Sequence, residues 1–166
     1  MAIPERAVPT DLAGYLAIMS RAIFQAGLSW KLIESKWEAY LRLFEGFDPL
    51  VVAAFGEGDV ERLMADGGVV RTRKKIEATI VNARTLLEID RMMGIRAYLQ
   101  SFATYDALAR DLRAKFKFLG DLSAYYFVFL VGETVPCFEV WERTIAGDHP
   151  RMREMIAHAR ASGYDG

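Results

Sequence analysis

The most informative stretch of the sequence is residues 105–131, which read YDALARDLRAKFKFLGDLSAYYFVFLV. Apolar residues recur at helical spacing over Tyr105–Ala114 and again over Leu122–Val131. Between these two predicted helices stands the segment Phe116–Gly120, which we call the hairpin and which is short for an ordinary loop. The stretch therefore predicts a helix, a tight hairpin and a second helix.

The hairpin has features that are typical of a phosphate-binding site. Its glycine leaves room for the backbone to approach a partner closely, and amides at the start of a helix favour an anion. A few such amides with a lysine beside them can hold a phosphate locally. On spacing alone, an ordinary turn between two helices remains the alternative. The predicted DNA-binding residues of the hairpin are Phe116, Lys117, Phe118, Leu119 and Gly120.

Helical periodicity also dominates the rest of the chain, and no segment shows the alternation typical of a β-strand. The sequence therefore predicts an all-α protein, with residues 1–166 forming one helical domain. The predicted helices outside the hairpin region are Asp11–Gln25, Trp30–Phe44, a short helix after the cap Asp48, Val60–Met64 after the cap Asp59, Thr72–Met93, Arg96–Phe102 and Pro150–Ala161.

Composition excludes several classes of protein. The 166 residues are 52% hydrophobic, which is too apolar for a disordered chain, and one cysteine cannot build a disulfide framework. The longest apolar run, Ala124–Val131, is far shorter than the roughly 20 residues of a membrane-spanning helix. Since no secretory leader pattern opens the sequence, we expect a cytoplasmic protein that does not bind membranes.

The charge balance predicts that any contact with a polyanion is local. The 21 basic and 22 acidic residues give a net charge of -1, so the whole molecule does not attract nucleic acid. Basic residues cluster at 71–75, where Arg71 and Arg73 are candidates for further contacts to a DNA backbone. The alternative for this cluster is an ordinary solvated helix face.

Seven short motifs lie in a distinctive order along the chain. They are QAGLSW at 25–30, FDP at 47–49, DVERL at 59–63, KIEATIVNA at 75–83, DAL at 106–108, DL at 111–112 and FKFLG at 116–120. In combination they resemble the 3-methyladenine DNA glycosylase I family over residues 11–132. Residues 105–132 are similar to the helix-hairpin-helix region of that family.

The resemblance implies a helix-hairpin-helix DNA glycosylase fold and a function in base-excision repair. Such an enzyme hydrolyses the N-glycosidic bond of an alkylated purine such as 3-methyladenine, after the damaged base has flipped out of double-stranded DNA. Methylation at N3 makes adenine cationic, which favours stacking on an aromatic ring and makes the base a good leaving group. Neither a cofactor nor an obligate protein partner is expected. No lysine stands out as a Schiff-base nucleophile, so we expect a monofunctional enzyme.

The resemblance also assigns residues to the base pocket. Trp30 corresponds to the tryptophan of the family's pocket, and Gln25 lies in the same motif. The alternatives are a core tryptophan that anchors the second helix and a glutamine that caps the end of the first.

One departure from the family concerns recognition of the base. The family's glutamate lies eight residues before the tryptophan, and Ala22 occupies that position here. A methyl group neither attracts a cationic base nor accepts a hydrogen bond from it, and an inward-facing Arg21 would repel it. A non-catalytic DNA-binding or lesion-sensing module is therefore the alternative function, and a protein-binding role of the fold is a third. The candidate replacement acids, each of which can equally lie on a solvated surface, are Glu34, Glu133 and Glu139.

Two further departures concern metal binding and the hairpin. The family's N-terminal cysteine and histidine zinc ligands have no counterparts, and Cys137 stands where the first C-terminal histidine ligand is expected. Four ligands cannot be assembled, so we predict no metal site. The first glycine of the family's hairpin is replaced by Lys115, which predicts an altered bend.

Overall fold

A computed structural model describes residues 6–69 and 72–161. In that part of the chain all regular structure is helical, which confirms the all-α prediction, and no helix there is long and apolar enough to cross a membrane. The α-helices of the described residues are α1 Leu12–Gln25, α2 Trp30–Leu43, α3 Pro49–Val52, α4 Glu57–Ala65, α5 Arg73–Met93, α6 Ile95–Leu99, α7 Tyr105–Lys115, α8 Asp121–Leu130, α9 Phe138–Trp141 and α10 Pro150–Ala161.

Side-chain caps and a glycine fix several helix ends close to their predicted positions. The carboxylate of Asp11 accepts a hydrogen bond from the Gly14 amide at 2.9 Å, and that of Asp48 accepts one from the Leu50 amide at 3.0 Å. These bonds satisfy amides that have no partner within the helix. At the other end of α5, Gly94 has a φ of 83°, which a residue with a side chain rarely adopts.

The predicted start of α4 is wrong. This helix begins at Glu57, so Asp59 is its third residue and not the cap that precedes it. Its carboxylate instead accepts a hydrogen bond from the Gly56 amide at 3.0 Å, reaching back over the first turn. Two further differences are that α6 ends at Leu99, three residues early, and that the four-residue helix α9 was not predicted.

Helix α1 is the central element, because it packs against α2, α5 and α8. One core cluster fills the space among α1, α2 and α5, where Trp37 stacks on Phe47 with 5.3 Å between ring centroids. A second cluster joins α8, α9 and α10 and reaches α1 at Ala22. The face of α1 that carries Ala22 therefore lies where the C-terminal helices meet the rest of the domain.

Candidate active site

A cavity of about 350 Å³ opens beside this face of α1. Its walls come from the end of α1, the start of α2, the first half of α8 and the segment 148–155, which includes the start of α10. The volume is in the range of sites that bind small molecules. The three residues that the sequence assigned to a pocket, Ala22, Gln25 and Trp30, all line this cavity.

The turn between α1 and α2 brings Gln25 and Trp30 to the same cavity. Gly27 adopts a φ of 77°, which reverses the chain, and the Leu28 amide donates to the Gln25 carbonyl at 2.9 Å. Helix α2 then begins at Trp30, whose half-exposed ring packs on the edge of the second core cluster. Trp30 thus has one side supported by the protein and borders the cavity with the other.

Two buried polar side chains line the cavity without a hydrogen-bond partner among the described residues. Gln25 is 8% exposed, and neither its Nε2 nor its Oε1 atom is bonded, so the alternative that it caps the end of α1 is wrong. The hydroxyl of Tyr126, a residue that is 1% exposed, is also without a partner, and burial raises the pKa of this phenol. Buried polar groups are nearly always paired, so both residues are exceptions to the usual pattern.

Arg21 is buried in the protein interior and does not line the cavity. Arg21 is 4% exposed, and its guanidinium lies 5.1 Å from the ring centroid of Trp37. Burial lowers the pKa of Arg21, while the neighbouring Tyr126 and Glu34 act in the opposite direction. The methyl group of Ala22, next to it in the chain, is what faces the cavity.

The three acids proposed from the sequence as replacements for the family's glutamate lie outside the cavity lining. Glu34 is half-buried on α2. Glu133 accepts a hydrogen bond from Gln100 and pairs with Arg96 of α6, and Glu139 pairs with Arg160 of α10. The carboxylate that does line it among the described residues is Asp148, whose Oδ1 is 2.7 Å from the Arg153 guanidinium. This ion pair lowers the pKa of Asp148 and offsets its charge.

A buried asparagine of α5 binds the backbone of the hairpin. Asn82, which is 1% exposed, accepts a hydrogen bond from the Lys117 amide at 2.7 Å and donates one to the Lys117 carbonyl at 3.1 Å. The Gly120 amide donates to Ser123 Oγ at 2.8 Å. The amides of Lys117 and Gly120 are therefore occupied, which leaves those of Phe118 and Leu119 as the anion-binding candidates of the hairpin.

The reversal of the chain falls at Phe118. This residue has a φ of 60° and is 51% exposed, whereas Phe116 and Leu119 on either side are buried. Lys115 is the last residue of α7 and pairs with Asp111, so its replacement of a glycine leaves the helix intact. Two consecutive exposed residues, Lys117 and Phe118, thus form the tip of the hairpin.

Of the two other predicted DNA contacts, one is surrounded by acids. The guanidinium of Arg73 pairs with carboxylates of Glu57, Glu61 and Glu77, which raise its pKa and cancel its attraction for a phosphate. Arg71 lies outside the described residues.

The residues present do not fit the zinc site implied by the family. Within residues 6–69 and 72–161, no three His, Cys, Asp or Glu side chains come together as a ligand group. The thiol of Cys137 donates to Glu139 Oε2 at 2.9 Å, and that carboxylate is engaged by Arg160 through its other oxygen. The mechanism proposed below therefore uses no metal ion.

Sequence reasoning missed Tyr126 and the segment 148–155 as parts of the site. Helix α8 is apolar on all sides, so its sequence gives no signal of which residue faces a cavity. The spacing of Leu122 and Tyr126, one helical turn apart, is consistent with a shared face but is not specific. The segment 148–155 follows the family motifs in the sequence, and only the tertiary structure brings it to the cavity.

Sequence comparisons find a matching family model and a similar protein. The family model described as methyladenine glycosylase matches residues 7–118. DNA-3-methyladenine glycosylase 1 of Escherichia coli (strain K12) is 36% identical over an alignment 130 residues long, which covers 65% of this chain and 70% of that protein.

Solved structures give the same result. A crystal structure of 3-methyladenine DNA glycosylase I has a TM-score of 0.68 and 30% identity, covering 78% of this chain and 83% of the other. A structure that describes 3-methyladenine recognition by the Staphylococcus aureus enzyme has a TM-score of 0.66 and 28% identity, covering 78% and 80%. The family match, the similar sequence and the shared fold lead to one conclusion: the chain belongs to the methyladenine glycosylase family.

Proposed function

We propose that this chain is a monofunctional DNA glycosylase of base-excision repair. It hydrolyses the N-glycosidic bond of an alkylated purine such as 3-methyladenine in double-stranded DNA, and it acts in the cytoplasm. The observation that carries the proposal is the cavity in which Trp30, Gln25 and Ala22 meet, which is connected to the hairpin through Ser123. The names of the similar proteins, which are 3-methyladenine glycosylases, support the reaction.

The proposed mechanism combines binding of the DNA backbone with binding of the flipped base. The Phe118 and Leu119 amides and the Lys117 ammonium hold a phosphate, and the damaged base leaves the duplex for the cavity. Ser123 connects the hairpin to the cavity. Its hydroxyl accepts a hydrogen bond from the Gly120 amide, and the residue also lines the cavity. There the base stacks on Trp30, and water adds to the sugar C1′. The bond to the base nitrogen breaks with its electron pair leaving on the base, and the proton that the water gives up passes to the solvent.

One observation favours a second function, a lesion-sensing module that binds DNA without cleavage. Ala22 lines the cavity where the family resemblance places a glutamate, and Asp148, the nearest replacement carboxylate, is already paired with Arg153. A pocket that retains stacking without an acid can bind a flipped base and leave its glycosidic bond intact.

The two functions are distinguished by incubating the purified protein with methylated duplex DNA. Chromatography of the free bases detects excision, and a binding titration at several salt concentrations detects the interaction with DNA. Release of a methylated purine above the spontaneous rate supports the enzyme. Salt-sensitive binding without release supports the module, and the absence of both contradicts the two proposals.

The Lys117→Ala variant is expected to weaken binding to duplex DNA and to reduce its salt dependence. Removing one phosphate contact lowers the slope of log affinity against log salt by about one. The matched control is Lys115→Ala, two residues away, because Lys115 Nζ already lies 2.7 Å from Asp111. Equal slopes for the two variants would contradict a phosphate contact by Lys117.

A further inference from the structure

The turn at residues 26–28 joins α1 to α2 and supplies part of the cavity wall. Ala26, Gly27 and Leu28 all line the cavity, and Trp30 follows them at the start of α2. Ala26 and Gly27 are exposed, so packing alone does not hold the backbone at this point. A shift of the turn would displace the cavity wall beside Trp30.

A lysine of α5 donates a hydrogen bond to the backbone of this turn. Lys75 Nζ lies 3.0 Å from the carbonyl oxygen of Ala26, the residue that caps the C-terminus of α1. Carbonyls at the end of a helix lack partners within it and carry the negative end of the helix dipole, so an ammonium group stabilises them. Lys75 is half-buried, and burial lowers its pKa.

The same helix also binds the hairpin. Asn82 follows Lys75 by seven residues, which is close to two helical turns, so the two side chains leave α5 on nearly the same face. Their Cα atoms are separated by about 10 Å along the helix axis. Since Asn82 pairs with the backbone of Lys117, α5 is hydrogen-bonded to the main chain of both the turn and the hairpin.

We propose that Lys75 is a positioning residue for the base cavity: by binding the Ala26 carbonyl, it keeps the turn 26–28 at a fixed distance from the hairpin. A base that leaves a duplex bound at the hairpin then meets the cavity in the correct position. The inference rests on the proposed function and adds a residue to it. Lys75 is not among the residues that line the cavity, so it acts through the turn and not on the base.

The Lys75→Met variant keeps the approximate length of the side chain and removes its ammonium group. Single-turnover release of bases from methylated duplex DNA is expected to fall at least tenfold, because a misplacement of about 1 Å can reduce a rate about a hundredfold. The affinity for undamaged duplex DNA and its salt dependence are expected to stay at their wild-type values, since the hairpin is unchanged. Lys75→Arg, which keeps a cationic donor, is expected to restore most of the lost rate.

Lys74→Met is the matched control, because it removes the same charge from an exposed neighbour on α5. It is expected to release bases at the wild-type rate. Wild-type release by Lys75→Met, or equal losses in the two variants, would overturn the inference. A salt slope lower by about one for Lys75→Met would also overturn it, because that result assigns Lys75 to a DNA phosphate. If thermal unfolding shows that Lys75→Met is not folded, Lys75→Gln, whose amide is too short to reach Ala26, takes its place.

Hydrogen exchange at the turn tests the inference without DNA or bond cleavage. The Leu28 amide donates to the Gln25 carbonyl at 2.9 Å, so its exchange rate reports whether the turn is held. Exchange is expected to become faster in Lys75→Met and to remain unchanged in Lys74→Met and Lys75→Arg. A wild-type protein that releases no base contradicts the proposed function, and exchange at Leu28 then decides the inference alone. Unchanged exchange in Lys75→Met contradicts the inference whatever the activity of the protein.

Discussion

Replacing Trp30 with alanine is expected to reduce base release by about ten- to a hundredfold while the fold is retained. Stacking of a base on an aromatic ring contributes roughly 1–3 kcal/mol, and each 1.4 kcal/mol corresponds to about tenfold in rate. Because Trp30 is half-exposed at the edge of the second core cluster, its removal leaves most of the packing in place. Single-turnover release of bases from methylated duplex DNA measures the effect.

Trp37→Ala is the matched control for this experiment. Trp37 is buried, and its ring stacks between Tyr40 and Phe47 at centroid distances of 5.7 and 5.3 Å. Its loss is expected to lower the free energy of unfolding by about 3–5 kcal/mol, as for other large core residues. If Trp30→Ala unfolds as readily as Trp37→Ala, or releases bases at the wild-type rate, the assignment of Trp30 to the site is wrong.

Asn82→Leu is expected to lower the free energy of unfolding by about 2–4 kcal/mol, since it leaves two partly buried backbone groups of Lys117 unpaired. It also frees the hairpin from α5, so DNA affinity is expected to fall even at temperatures where the variant is folded. Denaturant titration gives the first quantity, and a DNA-binding titration at fixed salt gives the second.

The control for Asn82 is Thr79→Val, on the same buried face of α5. The hydroxyl of Thr79 donates to the Lys75 carbonyl within the helix at 2.8 Å and does not hold the hairpin. Its loss is expected to cost some stability and to leave DNA affinity unchanged. Asn82→Leu with undiminished DNA affinity would show that the hairpin keeps its shape without this side chain.

Local signals in the sequence located most helices. The carboxylates of Asp11 and Asp48 accept hydrogen bonds from unpaired amides at the starts of two helices, and Gly94 provides the backbone conformation that ends α5. The start of α4 was wrong because an aspartate can cap from the third position as well as from the one before the helix. Helix α9 was not predicted because four residues are too few to show a period.

The site could be predicted only where its residues are neighbours in the sequence. Gln25 and Trp30 flank one tight turn, so a single motif contains both. Tyr126 and Asp148 reach the same cavity from segments that lie about a hundred residues further along the chain. Their positions depend on the packing of α8 on α1 and of α10 on α9, which no local pattern specifies.

The segment 148–155, which closes one side of the cavity, follows the region that the family model matches. Ion pairs between Arg153 and Glu142 and between Arg160 and Glu139, together with apolar contacts to α8 and α9, attach this part of the chain. The proposed grip on DNA and this wall of the proposed base pocket thus come from separate stretches. We expect substitutions in α10 to change which lesion fits the cavity while the affinity for the double helix is preserved.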